Sequence, residues 1–202
     1  MAVTEKRLEV LKTYKIYIGG QFPRTESGRY YVATNSKNEK LANICLGSRK
    51  DFRDAVVAAI APQNDSLLGL VSLIAPIIAG GNTCIVLASN TKPLCAVTFA
   101  EVLNSSDLPG GVVNILTGKV AELAPFFADH MDVNATTYCE TDTATQQMIK
   151  EKSALNVKRI ILYDKVKWLS DEAQSPYFIM DFQEIKTTWH PIENIGGARA
   201  GY

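Results

Sequence analysis

Between residues 61 and 118 the chain alternates apolar stretches with glycine or proline breaks, and this constrains the fold more than any other feature. Residues 66–78 are almost wholly apolar and close on Gly80-Gly81. Residues 83–88 form a short apolar run of strand length. Residues 93–104 carry Leu94, Val97, Phe99, Ala100, Val102 and Leu103, dense enough for a helix lying on a sheet. Pro109-Gly110-Gly111 breaks the chain, and residues 112–116 supply a second strand-length run. Helix, strand, helix, strand with breaks between is the grammar of a parallel α/β sheet with helices on both faces. Parallel strands are covered on both sides, so they read as continuous apolar runs rather than alternations.

The pattern continues downstream. Residues 120–130 suit a helix, kinked or delayed by Pro125 and ended by His130, and residues 132–138 suit a strand. Residues 141–155 suit a helix with Thr141 as N-cap and Asp142 in the first turn. Residues 156–163, NVKRIILY, read as another strand. Beyond them, 168–176 reads as a polar loop, 177–188 as a β-rich, partly apolar segment, and 192–202 as a glycine-rich mobile tail. Trp189-His190-Pro191 is expected at an inter-subunit contact, slightly ahead of packing on the chain's own core. Upstream, β-rich runs at 14–18 and 29–32 flank Gly19-Gly20, a two-residue hairpin signal. Residues 41–46 suit a further strand, and Phe52, Ala55, Val56 and Ala59 recur at helical spacing. Residues 55–62, AVVAAIAP, serve equally as the end of that helix or as a sheet strand. The expectation adopted is a helix to about Ala58 and a short strand at 59–62. The resulting organisation is a tail and β-arm over 1–48, a Rossmann-like domain over 49–165, and a carboxy-terminal strand and mobile tail over 166–202.

Composition narrows the function classes. With 21 basic and 21 acidic residues the formal net charge is zero, and there is no case for nucleic acid or an anionic membrane as partner. Cys45, Cys84, Cys95 and Cys139 lack CxxC spacing and mostly sit in apolar runs, which suits reduced thiols and a cytoplasmic location. His130 and His190 are too far apart in sequence to read as a metal pair, so no metal site is expected. Residues 67–81 fall about five short of the ~20 a membrane-spanning helix needs. The polar start of the chain reads as no signal peptide.

Two stretches, IAPIIAGGNTCIVLASNTKPL and LPGGVVNILTG, resemble the helix, Gly-Asn-Thr turn and strands in the first half of the dinucleotide-binding domain of aldehyde dehydrogenases. The resemblance runs more thinly from about Tyr14 to Leu162, and YIGGQFPRTESGR is similar to the family's amino-terminal strands. The long helical hairpin that precedes the family's first sheet strand has no counterpart here, so the junction near residues 55–62 reads as an internal deletion.

The resemblance also implies site positions. Asn64 matches the family's oxyanion-stabilising Asn, and an amide there is a suitable donor. Capping of the helix that starts near Leu67 is the favoured role for it. The adenosine-ribose positions fall on Leu87 and Asn90. A leucine has no donor, and Asn90 is a weaker acceptor than a carboxylate. The pyrophosphate loop falls on Glu140 and Thr141, where Glu140 places an anion against phosphate. The general-base position is Tyr163, followed by Asp164. The family's nucleophilic cysteine belongs to a domain expected to be missing, and Cys139 has no adjacent activator. The expectation is therefore a non-catalytic aldehyde-dehydrogenase-like protein without a cofactor. Its role is structural or regulatory, through association with itself or with a full-length aldehyde dehydrogenase. The alternative is a small-molecule or nucleotide binder, or a weak NAD(P)-dependent aldehyde oxidoreductase that keeps Asn64 and the sheet crevice.

Overall fold

The computed structural model describes residues 11–51, 57–184 and 187–188. Its centre is a five-stranded parallel sheet, β4 (Val57–Ile60), β5 (Cys84–Leu87), β6 (Val113–Leu116), β7 (Ala135–Tyr138) and β8 (Arg159–Leu162), in the order β6-β5-β4-β7-β8. Side chains alternate across it. Val57, Ala59, Cys84 and Val86 pack with helices α1 (Leu68–Ala79) and α2 (Pro93–Ser105). Ala58, Ile60, Ile85 and Leu87 pack on the other face with α3 (Val120–Asp129) and α4 (Thr143–Ala154). The period of two along a strand thus sorts one apolar run into two cores. Among the described residues no helix is long and apolar enough to cross a membrane.

The strand begins at Val57, not at Ala59, so the expected helix does not reach Ala58. Val57 to Ile60 pair in register with Cys84 to Leu87 on one side and with Ala135 to Tyr138 on the other. Two ladders and complete burial outweigh the helical preference of two alanines. Upstream, Arg49–Asp51 form a single 3-10 turn; residues 52–56 lie outside the described residues.

The amino-terminal arm is a separate small sheet in which β3 (Lys40–Cys45) pairs parallel with β1 (Thr13–Tyr14) and antiparallel with β2 (Tyr30–Thr34). The Gly19-Gly20 turn forms as expected: Ile18 and Gln21 exchange both backbone bonds at 3.0 Å, and both glycines have positive φ, 62° and 75°. Its flanking strands do not pair with one another. Instead Tyr17 exchanges backbone bonds of 3.0 and 2.7 Å with Ile115 of β6. The Gly19 N–H donates to Asn114 Oδ1 at 2.9 Å, while the buried Asn114 amide donates to the carbonyls of Cys84 and Gly111. The arm therefore covers the β6 edge of the sheet.

At the opposite margin α4 ends in a left-handed residue, Val157 (φ 52°), closed by Lys158 N–H donating to the Ser153 carbonyl at 3.2 Å. This is the helix-ending geometry that usually recruits glycine. Lys158 is buried, and its Nζ donates to the carbonyls of Phe127 (3.2 Å) and His130 (2.6 Å), closing the end of α3. His130 is that helix's C-cap residue, as expected. Burial pushes the Lys158 amine down to about 8.

The carboxy-terminal part is more ordered than a loop followed by a strand. Trp168 and Ala173 are buried, Asp171–Gln174 form a 3-10 turn, and Phe178–Asp181 form a short helix, α5. Its aromatic side chains reach the core on the α1 face, which favours a compact turn over extended chain. The segment expected to hold Trp189, His190 and Pro191 lies outside the described residues.

Two outcomes follow. Val157→Gly is expected to raise stability by about 1 kcal/mol in urea unfolding, because a β-branched residue is strained at positive φ. For Lys158, the folded value near 8 lies below the unfolded value of about 10.4. Between those values the unfolded chain holds the extra proton, so this group's contribution to stability rises with pH. Wild type is expected to gain stability relative to Lys158→Met from pH 8 to pH 10, and a flat difference would contradict the assignment.

Candidate functional site

In open parallel sheets, ligands bind outside the carboxyl ends of the strands, where the connections diverge to opposite faces. Here that point lies between β4, which leads into α1, and β7, which leads into α4. The residues just beyond the strand ends are Gln63 and Asn64, Ser89 and Asn90, Glu140 and Thr141, and Tyr163 and Asp164.

These ends are laced together by their own polar groups. Glu140 Oε1 accepts the Gln63 backbone N–H at 2.6 Å, joining β7 to β4. Gln63 Oε1 accepts the Asn90 N–H at 3.0 Å, and the Gln63 carbonyl accepts the Ser89 hydroxyl (2.8 Å) and the Thr91 hydroxyl (2.9 Å), joining β4 to β5. Lys92 Nζ donates to the Asn64 carbonyl at 3.0 Å. On the far side, Gln146 Nε2 donates to the Glu140 carbonyl (2.9 Å) and to Asp164 Oδ2 (3.4 Å), bringing in β8. The 2.6 Å bond to the Glu140 carboxylate is charge-assisted and stronger than a neutral one.

The structure places each residue singled out by sequence. Leu87 is wholly buried in the core shared with α3 and α4. Asn90 is exposed, with its backbone N–H bonded to Gln63. Glu140 is half-buried and turned toward β4, and Thr141 is exposed. Thr141 is not the N-cap of α4. Asp142 is, its carboxylate accepting the N–H groups of Ala144 and Thr145 at 3.2 Å and the Thr145 hydroxyl. Asp is the stronger cap and starts the helix one residue later. The Thr145 hydroxyl holds the Asp142 carboxyl below its ordinary range. Asn64 does not cap α1. The residue at the cap position is Leu67, without a side-chain bond, and the Asp65 carbonyl accepts the Gly69 N–H at 2.8 Å. The backbone extends the first turn itself, which leaves the Asn64 residue exposed at the crevice.

Tyr163 is buried, and its hydroxyl donates to Asp181 Oδ2 at 2.7 Å. Its ring lies 5.0 Å from Phe178, 6.0 Å from Trp168 and 6.4 Å from Phe182, the last two edge-on. Burial, then the Asp181 carboxylate, raise the hydroxyl well above its ordinary value. The position matched to a general base thus anchors α5 to the sheet. Sequence reading missed this role, although the clustering of Trp168, Phe178 and Phe182 after the strand was the available signal.

Cys45, Cys84 and Cys139 are buried free thiols and Cys95 is half-buried. Burial pushes Cys84 up to about 12 and Cys139 well above its usual range, so neither presents a thiolate near neutral pH. Among the described residues no group of His, Cys, Asp and Glu could hold a metal ion.

Glu140→Ala is expected to destabilise by about 1–3 kcal/mol, since it leaves the Gln63 N–H without its carboxylate. Tyr163→Phe is expected to cost about 1 kcal/mol. It should also expose Asp181 and Phe182 to faster amide exchange while β4 to β7 keep theirs.

Residues 48–164 match the model of the aldehyde dehydrogenase family. The NADP/NAD-dependent aldehyde dehydrogenase PuuC of Escherichia coli is 33% identical over 107 residues, covering 53% of this chain and 22% of that protein. A hydroxyisobutyraldehyde dehydrogenase of Mycolicibacterium austroafricanum is 40% identical over 83 residues, covering 41% of this chain and 16% of that protein. The chain thus spans about a fifth of the length of the curated relatives it matches. Among solved structures, an aldehyde dehydrogenase from Bacillus cereus superposes with a TM-score of 0.69 at 15% identity, over 75% of this chain and 50% of that one. Lactaldehyde dehydrogenase from Escherichia coli gives 0.69 at 14% identity, over 76% and 52%. The sheet order, the strand-end crevice and the matched stretch agree: this chain belongs to the aldehyde dehydrogenase family.

Proposed function

We propose that the protein is a non-catalytic member of the family that works by association, with itself or with a full-length aldehyde dehydrogenase, and that it takes no dinucleotide. The observation that carries the reading is the 2.6 Å bond from the Gln63 N–H to the Glu140 carboxylate. It ties β4 to β7 where a pyrophosphate would have to enter, and it puts a negative group there. Leu87 supports it, because a wholly buried leucine stands at the position matched to a ribose contact. Tyr163 supports it too, because its hydroxyl is tied to Asp181 and titrates far above neutrality. Four free cysteines suit a reducing, cytoplasmic setting.

The second reading is an NAD(P)-dependent aldehyde oxidoreductase. It is favoured by the exposed Asn64 at the crevice and by the cofactors in the names of relatives such as PuuC.

Isothermal calorimetry with NAD and NADP separates the two. No heat of binding is expected at millimolar dinucleotide, and no reduction of either cofactor with a panel of aliphatic aldehydes. Saturable micromolar binding, or turnover, would support the second reading.

A further inference from the structure

At the starting ends of β4, β7 and β8, away from the strand-end crevice, lies an open polar cleft of about 670 Å³. Small-molecule sites occupy roughly 300–1,000 Å³, so this cleft has room for a metabolite. Val57, Ala135 and Arg159, the first residues of the three strands, contribute to its lining.

Arg159 is the group in the cleft best placed to hold a ligand. Its half-buried guanidinium donates through Nη1 to the Asp181 carbonyl at 3.1 Å, which fixes it against α5. Its Nε and Nη2 have no partner among the described residues. No described carboxylate lies within ion-pair distance of it either. A half-buried cation without a counter-ion has lost hydration and regained little. Its planar fork matches the two oxygens of a carboxylate. Next to it in the cleft, the exposed Asn134 side chain makes no hydrogen bond to the described residues, so its amide is a free donor.

The charge on the lining sets the charge of the ligand. Lys158 lies behind Arg159 with its Nζ committed to the carbonyls of Phe127 and His130. Glu184, exposed, is the acid of the lining. Two cations and one anion leave a single net positive charge, which balances a monoanion and not a phosphate dianion.

The rest of the lining is apolar where a hydrocarbon tail would lie. Phe182 is buried there, while Met131 and Val157 are 82% and 95% exposed. Val157 is the informative one. Among the described residues only Asn38 and Val157 are non-glycine residues at positive φ. Asparagine tolerates that region and a β-branched residue does not. A side chain so exposed adds no packing to its own chain, and glycine would sit there unstrained. Strain of this kind collects at ligand sites, where the side chain has a use that the free protein does not reveal.

We propose that this cleft binds a small organic monocarboxylate with a hydrocarbon tail, its carboxylate on the Arg159 fork and Asn134 and its tail against Met131, Val157 and Phe182. The proposal does not depend on how the strand-end crevice is read.

Hexanoate is the probe, titrated into the full chain and followed by calorimetry and by proton–nitrogen correlation spectra, with acetate and inorganic phosphate as further arms. Saturable shifts at Asn134, Arg159 and Gln183 are expected with hexanoate. Acetate is expected to bind at least about tenfold more weakly, because it lacks four methylenes. Phosphate should give no saturable shift. Arg159→Gln should abolish hexanoate binding. Val157→Gly should weaken hexanoate severalfold and leave acetate unchanged, while urea unfolding shows no loss of stability. That opposition separates a ligand contact from a residue serving the fold alone, and it holds even if Arg159→Gln folds poorly. Absence of saturable hexanoate shifts in wild type overturns the proposal. Phosphate binding as tightly as hexanoate overturns it as well, and so does hexanoate affinity unchanged in Val157→Gly.

Discussion

A single backbone N–H, that of Gln63, holds the working end of this molecule in its present shape. It sits just past β4, which has ladders on both sides and, with β7, borders the point where the connections diverge. Its partner is a carboxylate carried by the neighbouring strand end, and its own side chain reaches the next strand on the other side. Strand ends in such a sheet need partners for groups the ladders no longer satisfy. In a nucleotide-binding protein, a ligand provides many of them. Here Gln63, Glu140, Ser89, Thr91 and Gln146 bond to one another across the strand ends and join three loops.

The same economy appears at the margins. Asn114 uses its amide to tie the arm, β5 and the preceding turn together, and Lys158 closes the last carbonyls of α3 from a buried position. Tyr163 and Asp181 draw α5 onto the sheet in the place where the family resemblance puts a catalytic carboxylate. Asn114, Lys158 and Tyr163 are polar groups withdrawn from solvent to join elements far apart in sequence. Such bonds count most where burial would make an unmet partner costly.

Much of the fold was legible beforehand because its signals are local. The apolar runs at β5 and β6, the β-favouring Thr136, Thr137 and Tyr138 of β7, the breaks at Gly80-Gly81 and Pro109-Gly110-Gly111, and the Gly19-Gly20 turn all say what they form without reference to distant residues. The strand at 57–60 was not, since two alanines suit a helix as well as a strand until neighbours on both sides are known. The cap of α4 was misplaced by one residue because Thr141 and Asp142 are both good caps and differ only in reach. At the site, the identities of Leu87, Glu140 and Tyr163 were visible, but their partners were not. Nothing in the sequence says that Glu140 turns to a residue 77 positions earlier, or that Tyr163 meets Asp181. Long-range hydrogen bonds leave no periodic trace, and they decide what the strand ends do here.

The central claim is that the strand-end crevice is closed by its own side chains. The most direct test follows the Gln63 and Asn90 amides in proton–nitrogen correlation spectra, with hydrogen exchange measured in the absence and presence of millimolar NAD. The account predicts slow exchange at both amides in the free protein and no change in their resonances on addition of NAD. Solvent-rate exchange at Gln63, or saturable NAD-dependent shifts at Gln63 and Asn90, would contradict it.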